Sequence, residues 1–142
     1  MFEEKRRVNR TGDELEIAIT LRSEEDKETV LAGPVKGILT NISSCGAGLV
    51  LNQVNVQQYH LFYTLQDDPT YLLYLEIILE SGKTFSIPVI PIWYDCDHHN
   101  KDMPFKLGVD FIPGPDNVAV KNLNQLMRER RKGRGGWLSD FI

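Results

Sequence analysis

Leu15-Glu16-Ile17-Ala18-Ile19-Thr20-Leu21 is the stretch on which the fold turns. Leu15, Ile17, Ile19 and Leu21 fall on one side of an extended chain and Glu16, Ala18 and Thr20 on the other, the period-two pattern of a strand with one buried face. Downstream, Val35 to Ile42 is a second candidate strand, led in by Gly33-Pro34, and Gly48 to Leu51 is a short third after the turn Ser43-Ser44-Cys45-Gly46. Tyr59 to Leu65, Tyr71 to Leu79, Thr84 to Tyr94 and Phe105 to Ile112 complete a set of seven. Between two of them Glu80-Ser81-Gly82-Lys83 reads as a hairpin turn, because Gly82 supplies the positive φ such turns require. Short strands separated by turn signals predict a mainly β barrel or sandwich. Pro88 and Pro91 cannot donate to a ladder, so the sixth strand is expected to bend there.

After Asp116-Asn117 the period changes. Ala119, Val120, Leu123, Leu126 and Met127 share one face of a helix that Asp116 or Asn117 is placed to cap. Arg128, Arg130, Arg131 and Lys132 load its C-terminal turns, where positive charge complements the helix dipole, and Gly133 is expected to end it. Residues 116–132 are thus read as the helix and 133–142 as a flexible tail.

The 142 residues are the length of one ordinary domain, able to bury a core without staples. With 16 Lys and Arg against 20 Asp and Glu, the net charge of −4 gives no global attraction for polyanions, so any anion site must be local. Two cysteines, Cys45 and Cys96, are too few for a disulfide framework, and no secretory signal is recognisable at the start, so a cytoplasmic location is expected. The most apolar stretch, Tyr71 to Leu79, is interrupted by Glu76 and is far short of the roughly 20 residues a membrane helix needs. No direct membrane insertion is expected.

Two short features carry the chemistry. Arg6-Arg7-Val8-Asn9-Arg10, before the first strand, puts the guanidinium groups of Arg6 and Arg10 on one segment, each able to grip phosphate oxygens or the O6 and N7 acceptors of guanine through two hydrogen bonds. Asn41-Ile42-Ser43-Ser44-Cys45-Gly46 is a polar turn in which Asn41 and Ser43, two apart on an extended chain, point the same way. Gly46 and Gly48 there allow close backbone approach to a flat ligand. Cations for phosphate beside a polar shelf for a base imply a compact guanine nucleotide.

The pair of motifs resembles the signature of the PilZ domains, R-x-x-x-R followed by [D/N]-x-S-x-x-G, here Arg6 to Arg10 and Asn41 to Gly46. Lys106-Leu107-Gly108-Val109-Asp110-Phe111 is similar to that family's closing strand, and Val89 to Trp93 to the strand that often carries a tryptophan near the ligand. The resemblance implies a six- to seven-stranded antiparallel β-barrel with a C-terminal helix over residues 1–132, residues 1–12 forming a flexible basic arm. It implies a receptor for the bacterial second messenger cyclic di-GMP, bound by Arg6, Arg10, Asn41, Ser43 and Gly46, with Lys5, Arg7, Gly48 and Trp93 as further contacts. A basic residue just before the motif, Lys5 here, is associated in such domains with a stacked pair of ligands. Asn41 stands where the family often has Asp, and so brings an acceptor without a charge. An unidentified downstream protein is the implied partner.

Other functions fit less well. Asp95-Cys96-Asp97-His98-His99 holds metal-ligand residue types, but neighbouring histidines rarely face one ion and no second Cys or His cluster completes a tetrahedral set, so a polar loop is expected and no cofactor. His60, His98 and His99 sit in no nucleophile or metal arrangement and no phosphate loop is present, so no enzyme activity is expected. A nucleic-acid-binding barrel is disfavoured by the overall acidity, and a PilZ-like adaptor that no longer binds ligand is disfavoured by the intact motif pair.

Overall fold

The computed structural model describes residues 15–139, with side chains as far as residue 130. The chain forms β1 (Leu15–Ser23), β2 (Val30–Ile42), β3 (Gly46–Leu51), β4 (Asn55–Val56), β5 (Tyr59–His60), α1 (Tyr63–Asp67), β6 (Tyr71–Ile78), β7 (Thr84–Cys96), β8 (Phe105–Phe111) and α2 (Val118–Ser139). Six strands close an antiparallel barrel in the order β1-β2-β3-β8-β7-β6, while β4 and β5 pair separately. The apolar side of the first strand is buried as its pattern predicts, Leu15, Ile17, Ile19 and Leu21 each being at most 1% exposed, but Ala18 and Thr20 on the other side are buried as well, at 5% and 2%. Leu39, Leu49, Leu51, Leu73, Leu75, Ile77, Ile87, Val89, Leu107 and Val109 join them, so side chains fill the interior.

Helix α2 adds Val120, Leu123 and Met127 to this core, with Ala119 and Leu126 half-buried beside them. Asn117 caps it, its Oδ1 accepting from the N–H groups of Ala119 (2.9 Å) and Val120 (3.3 Å). The helix backbone does not stop at Gly133 but continues to Ser139. A helical glycine costs only about 1 kcal/mol, which makes it a weak stop signal.

Tyr59 to Leu65 is not one strand. Thr64 Oγ1 accepts from the His60 N–H (2.8 Å), and His60 Nδ1 accepts from the N–H groups of Phe62 (3.1 Å) and Tyr63 (3.0 Å). Side-chain acceptors thus take backbone donors that a ladder would need, and the segment becomes a two-residue strand followed by α1. Gly82 turns the β6–β7 hairpin at φ 90°, and the expected irregularity of β7 falls between Pro91 and Trp93.

Candidate functional site

Strict alternation would bury both Asn41 and Trp93. In β2 the inward set Val35 and Leu39 leads to position 41, and in β7 the set Ile87, Val89 and Pro91 leads to position 93. Each strand carries a register shift just before that position, between Leu39 and Asn41 and between Pro91 and Trp93. A single extra residue reverses the side on which the next side chain emerges. Both Asn41 and Trp93 therefore lie outside the barrel, Trp93 at 46% exposure.

The two shifts put these residues in one row. Asn41 pairs with Gly48, Gly48 with Gly108, and Gly108 with Trp93, across β2, β3, β8 and β7. At strand spacings of about 4.8 Å the row spans roughly 14 Å. The glycines at its centre are required by what lies over them. A Cβ on Gly48 would stand 2.5 Å from Asn41 Oδ1, and a Cβ on Gly108 would overlap the Trp93 indole. The centre of the row is thus backbone covered by side chains, with the Asn41 carboxamide over Gly48 and the Trp93 indole over Gly108, and both glycines are buried. Among the described residues Asn41 and Trp93 make no side-chain hydrogen bond.

The next outward row, Val50, Lys106 and Asp95, continues the same face. Lys106, Trp93, Asn41, Thr40, Gly48 and Val50 line a cleft of about 300 Å³ whose far side is Asp97 and Asn100 from the loop between β7 and β8. That loop is firmly tied. Asp97 N–H donates to Pro104 O (2.6 Å), Asp97 Oδ1 accepts from His99 N–H (3.0 Å), and Asn100 Oδ1 accepts from Met103 N–H (3.0 Å).

The turn between β2 and β3 is built by Ser43. Its Oγ accepts from the N–H groups of Cys45 and Gly46 (both 3.1 Å) and donates to Gly46 O (3.4 Å). The hydroxyl therefore shapes the turn as well as standing exposed at its surface. Gly46 is demanded by packing, since a Cβ there would collide with Val109 O of β8 and its φ is not positive. Two further bonds fix the turn from outside: Phe111 N–H donates to Cys45 O (2.8 Å), and Asn124 Nδ2 of α2 donates to Ser43 O (3.3 Å).

Of the residues expected to bind, Asn41, Gly48 and Trp93 share the row, and Ser43 and Gly46 form the adjoining turn. Lys5, Arg6, Arg7 and Arg10 lie outside the described residues. Sequence reasoning passed over Gly108, Lys106, Asp97 and Asn100. Gly108 had a signal, a glycine inside an alternating apolar strand, which often marks a close approach. Cys96 Sγ and His98 Nδ1 are 3.9 Å apart, and no group of three His, Cys, Asp or Glu among the described residues is arranged to hold a metal. No helix among them is long and apolar enough to cross a membrane.

Fold and site together define a small closed β-barrel with a cleft on its outer wall. No family model, curated protein or solved structure matches the chain.

Proposed function

We propose that the chain is a PilZ-like receptor that binds cyclic di-GMP on this outer face. The observation that carries it is the Asn41–Gly48–Gly108–Trp93 row, which brings the polar turn and the tryptophan strand onto one outer face of the barrel beside Ser43. The Asn41 amide oxygen can accept from guanine N–H groups, and the indole offers a stacking surface worth about 1–3 kcal/mol per base.

The arginine motif is within reach by chain length alone. Leu15, at the start of β1, pairs with Leu39, two residues before Asn41. Arg10 is five residues ahead of Leu15 and Arg6 nine, so an extended chain carries them up to about 17 Å and about 30 Å from it. Arginines that hold the phosphates and guanine edges draw the arm against the barrel and change the surface offered to a downstream protein. The ligand drives that change only to the extent that it binds the closed arrangement better than the open one. Calorimetric titration of cyclic di-GMP, with Arg6→Ala and Arg10→Ala beside the parent, tests the proposal. Binding at micromolar ligand that either substitution weakens strongly is expected, and no binding by the parent sinks it.

One observation favours the adaptor reading. Ile90 and Ile112, diagonal neighbours on the outer face, are 49% and 46% exposed, and Val118 at the start of α2 is 71% exposed. A protein partner retained by an Ile90→Ser variant that folds as the parent does would count against this patch as the contact.

A further inference from the structure

At Val89 the ladder between β6 and β7 ends, while β7 stays paired with β8 through to Cys96. The strand that carries Trp93 therefore loses its β6 neighbour just before the register shift between Pro91 and Trp93. Helix α1 takes that place: Gln66 Nε2 donates to Pro91 O (3.3 Å) in a partly buried bond. Pro88 and Pro91 have no N–H to give, so this stretch is short of backbone ties, and the carbonyl beside the extra residue Ile92 is held from α1.

The helix that makes this bond is itself set by one imidazole. Five residues hold too few bonds to stand alone, so the capping of α1 decides whether it forms. Phe62, the residue before it, gives no side-chain cap. Instead His60 Nδ1 accepts from the N–H groups of Phe62 and Tyr63, while Thr64 Oγ1 accepts from the His60 N–H. A proton on Nδ1 turns that acceptor into a donor aimed at two donors. The ring packs against Tyr63 of α1 (4.6 Å between centroids) and Tyr94 of β7 (5.0 Å), and phenols ordinarily ionise only near about pH 10. Asn55, its ladder partner on β4, is uncharged. Burial is what lowers the imidazole from its ordinary pKa of 6.5.

We propose that α1 is a pH-sensitive clasp on the Trp93 face: neutral His60 keeps the helix closed, Gln66 thereby holds Pro91, and protonation of His60 frees the bulge that turns Trp93 outward. Because the closed clasp favours the neutral ring, it is complete above about pH 6.5 and is lost as pH falls through the lowered native value. Trp93 then leaves its place over Gly108, and any ligand that stacks on the indole there binds more weakly in acid. The clasp does not depend on which ligand the face takes.

The test is Trp93 fluorescence of the full chain in a Trp137→Phe background, where Trp93 is the sole tryptophan. Between about pH 8 and about pH 5 the parent is expected to gain acrylamide quenching in one step, at the pH where the His60 ring titrates by NMR. His60→Asn, whose Oδ1 accepts in place of Nδ1 and takes up no proton, should stay at the high-pH level throughout. Gln66→Met, which keeps the length of the side chain but cannot donate, should show at about pH 8 the quenching that the parent reaches only in acid, and no step. The absence of a step in the parent would overturn the clasp. His98 and His99, in the loop after β7, are intact in both variants, so a step that persists in His60→Asn would assign the signal to other groups and overturn it too. A step that persists in Gln66→Met would overturn the link from α1 to Trp93. A step that coincides with loss of the cooperative thermal melt is global unfolding and would overturn the clasp as well.

Discussion

The barrel has two walls built from similar strands and put to different use. On the outer face of β1 and β6 the polar groups satisfy one another. Arg22 Nη2 is 3.2 Å from Glu76 Oε2, its Nε donates to Thr20 Oγ1 (3.2 Å), its Nη1 donates to Lys27 O (2.7 Å), and its guanidinium lies 4.7 Å above the Tyr74 ring. Thr20, only 2% exposed, donates in turn to Glu76 (3.4 Å). On the opposite wall the β2–β3 and β7–β8 ladders each carry a register shift, two glycines lie mid-row, and there Asn41, Trp93 and Lys106 face a cleft. A wall whose polar groups are spent on each other contributes to stability. On the proposed reading, one whose polar groups line an open cleft offers them to a ligand.

Substitutions separate the two, beginning with the largest effect. Leu75→Ala, in β6 and fully buried, should cost about 2–5 kcal/mol in urea denaturation, because the cavity it leaves cannot collapse in a filled barrel. Arg22→Ala should cost roughly 1–3 kcal/mol by stranding Glu76 and Thr20, with affinity for cyclic di-GMP unchanged in calorimetry. Asn41→Ala should do the reverse, moving stability by less than about 0.5 kcal/mol while weakening the ligand roughly tenfold. If Arg22→Ala weakened the ligand as much as Asn41→Ala does, the division between the walls would fail.

The smallest effect tests the barrel end under α1. Desolvation holds the His60 imidazole below its ordinary pKa of 6.5, so as pH falls the unfolded chain takes up that proton before the native state does. The stability it contributes is full above the unfolded value and is lost as pH falls through the lowered native one. Its Nδ1 must stay unprotonated to accept from Phe62 and Tyr63. Thermal melts between about pH 8 and about pH 5 should show this loss in the parent and less of it in His60→Asn, whose Oδ1 can replace the ring acceptor.

Barrel and helix were legible because burial imposes its own period. Ile17 and Ile19 alternate, Val120, Leu123 and Met127 recur at helical spacing, and each landed in the core. The site was legible only as residue types. Asn41 and Trp93 were named, but their shared row depends on extra residues at Thr40 and Ile92, and alternation carries no sign of a bulge. Lys106 was left out of the expected contacts for a related reason. Fifty-six residues separate Val50 from Lys106, and only the β3–β8 register makes them neighbours. The segment after Tyr59 misled because His60 and Thr64 side chains took backbone donors that apolar patterning alone assigned to a ladder.

The turn at Ser43 is joined to the last residue of β8, through Cys45 O to Phe111, and to α2 itself, through Ser43 O to Asn124. Those two bonds act as a latch with a single keeper. Undocking the helix pulls on the turn, and reshaping the turn loosens the helix, so hydrogen exchange at Gly46 and at the first turns of α2 should report one shared opening event instead of two.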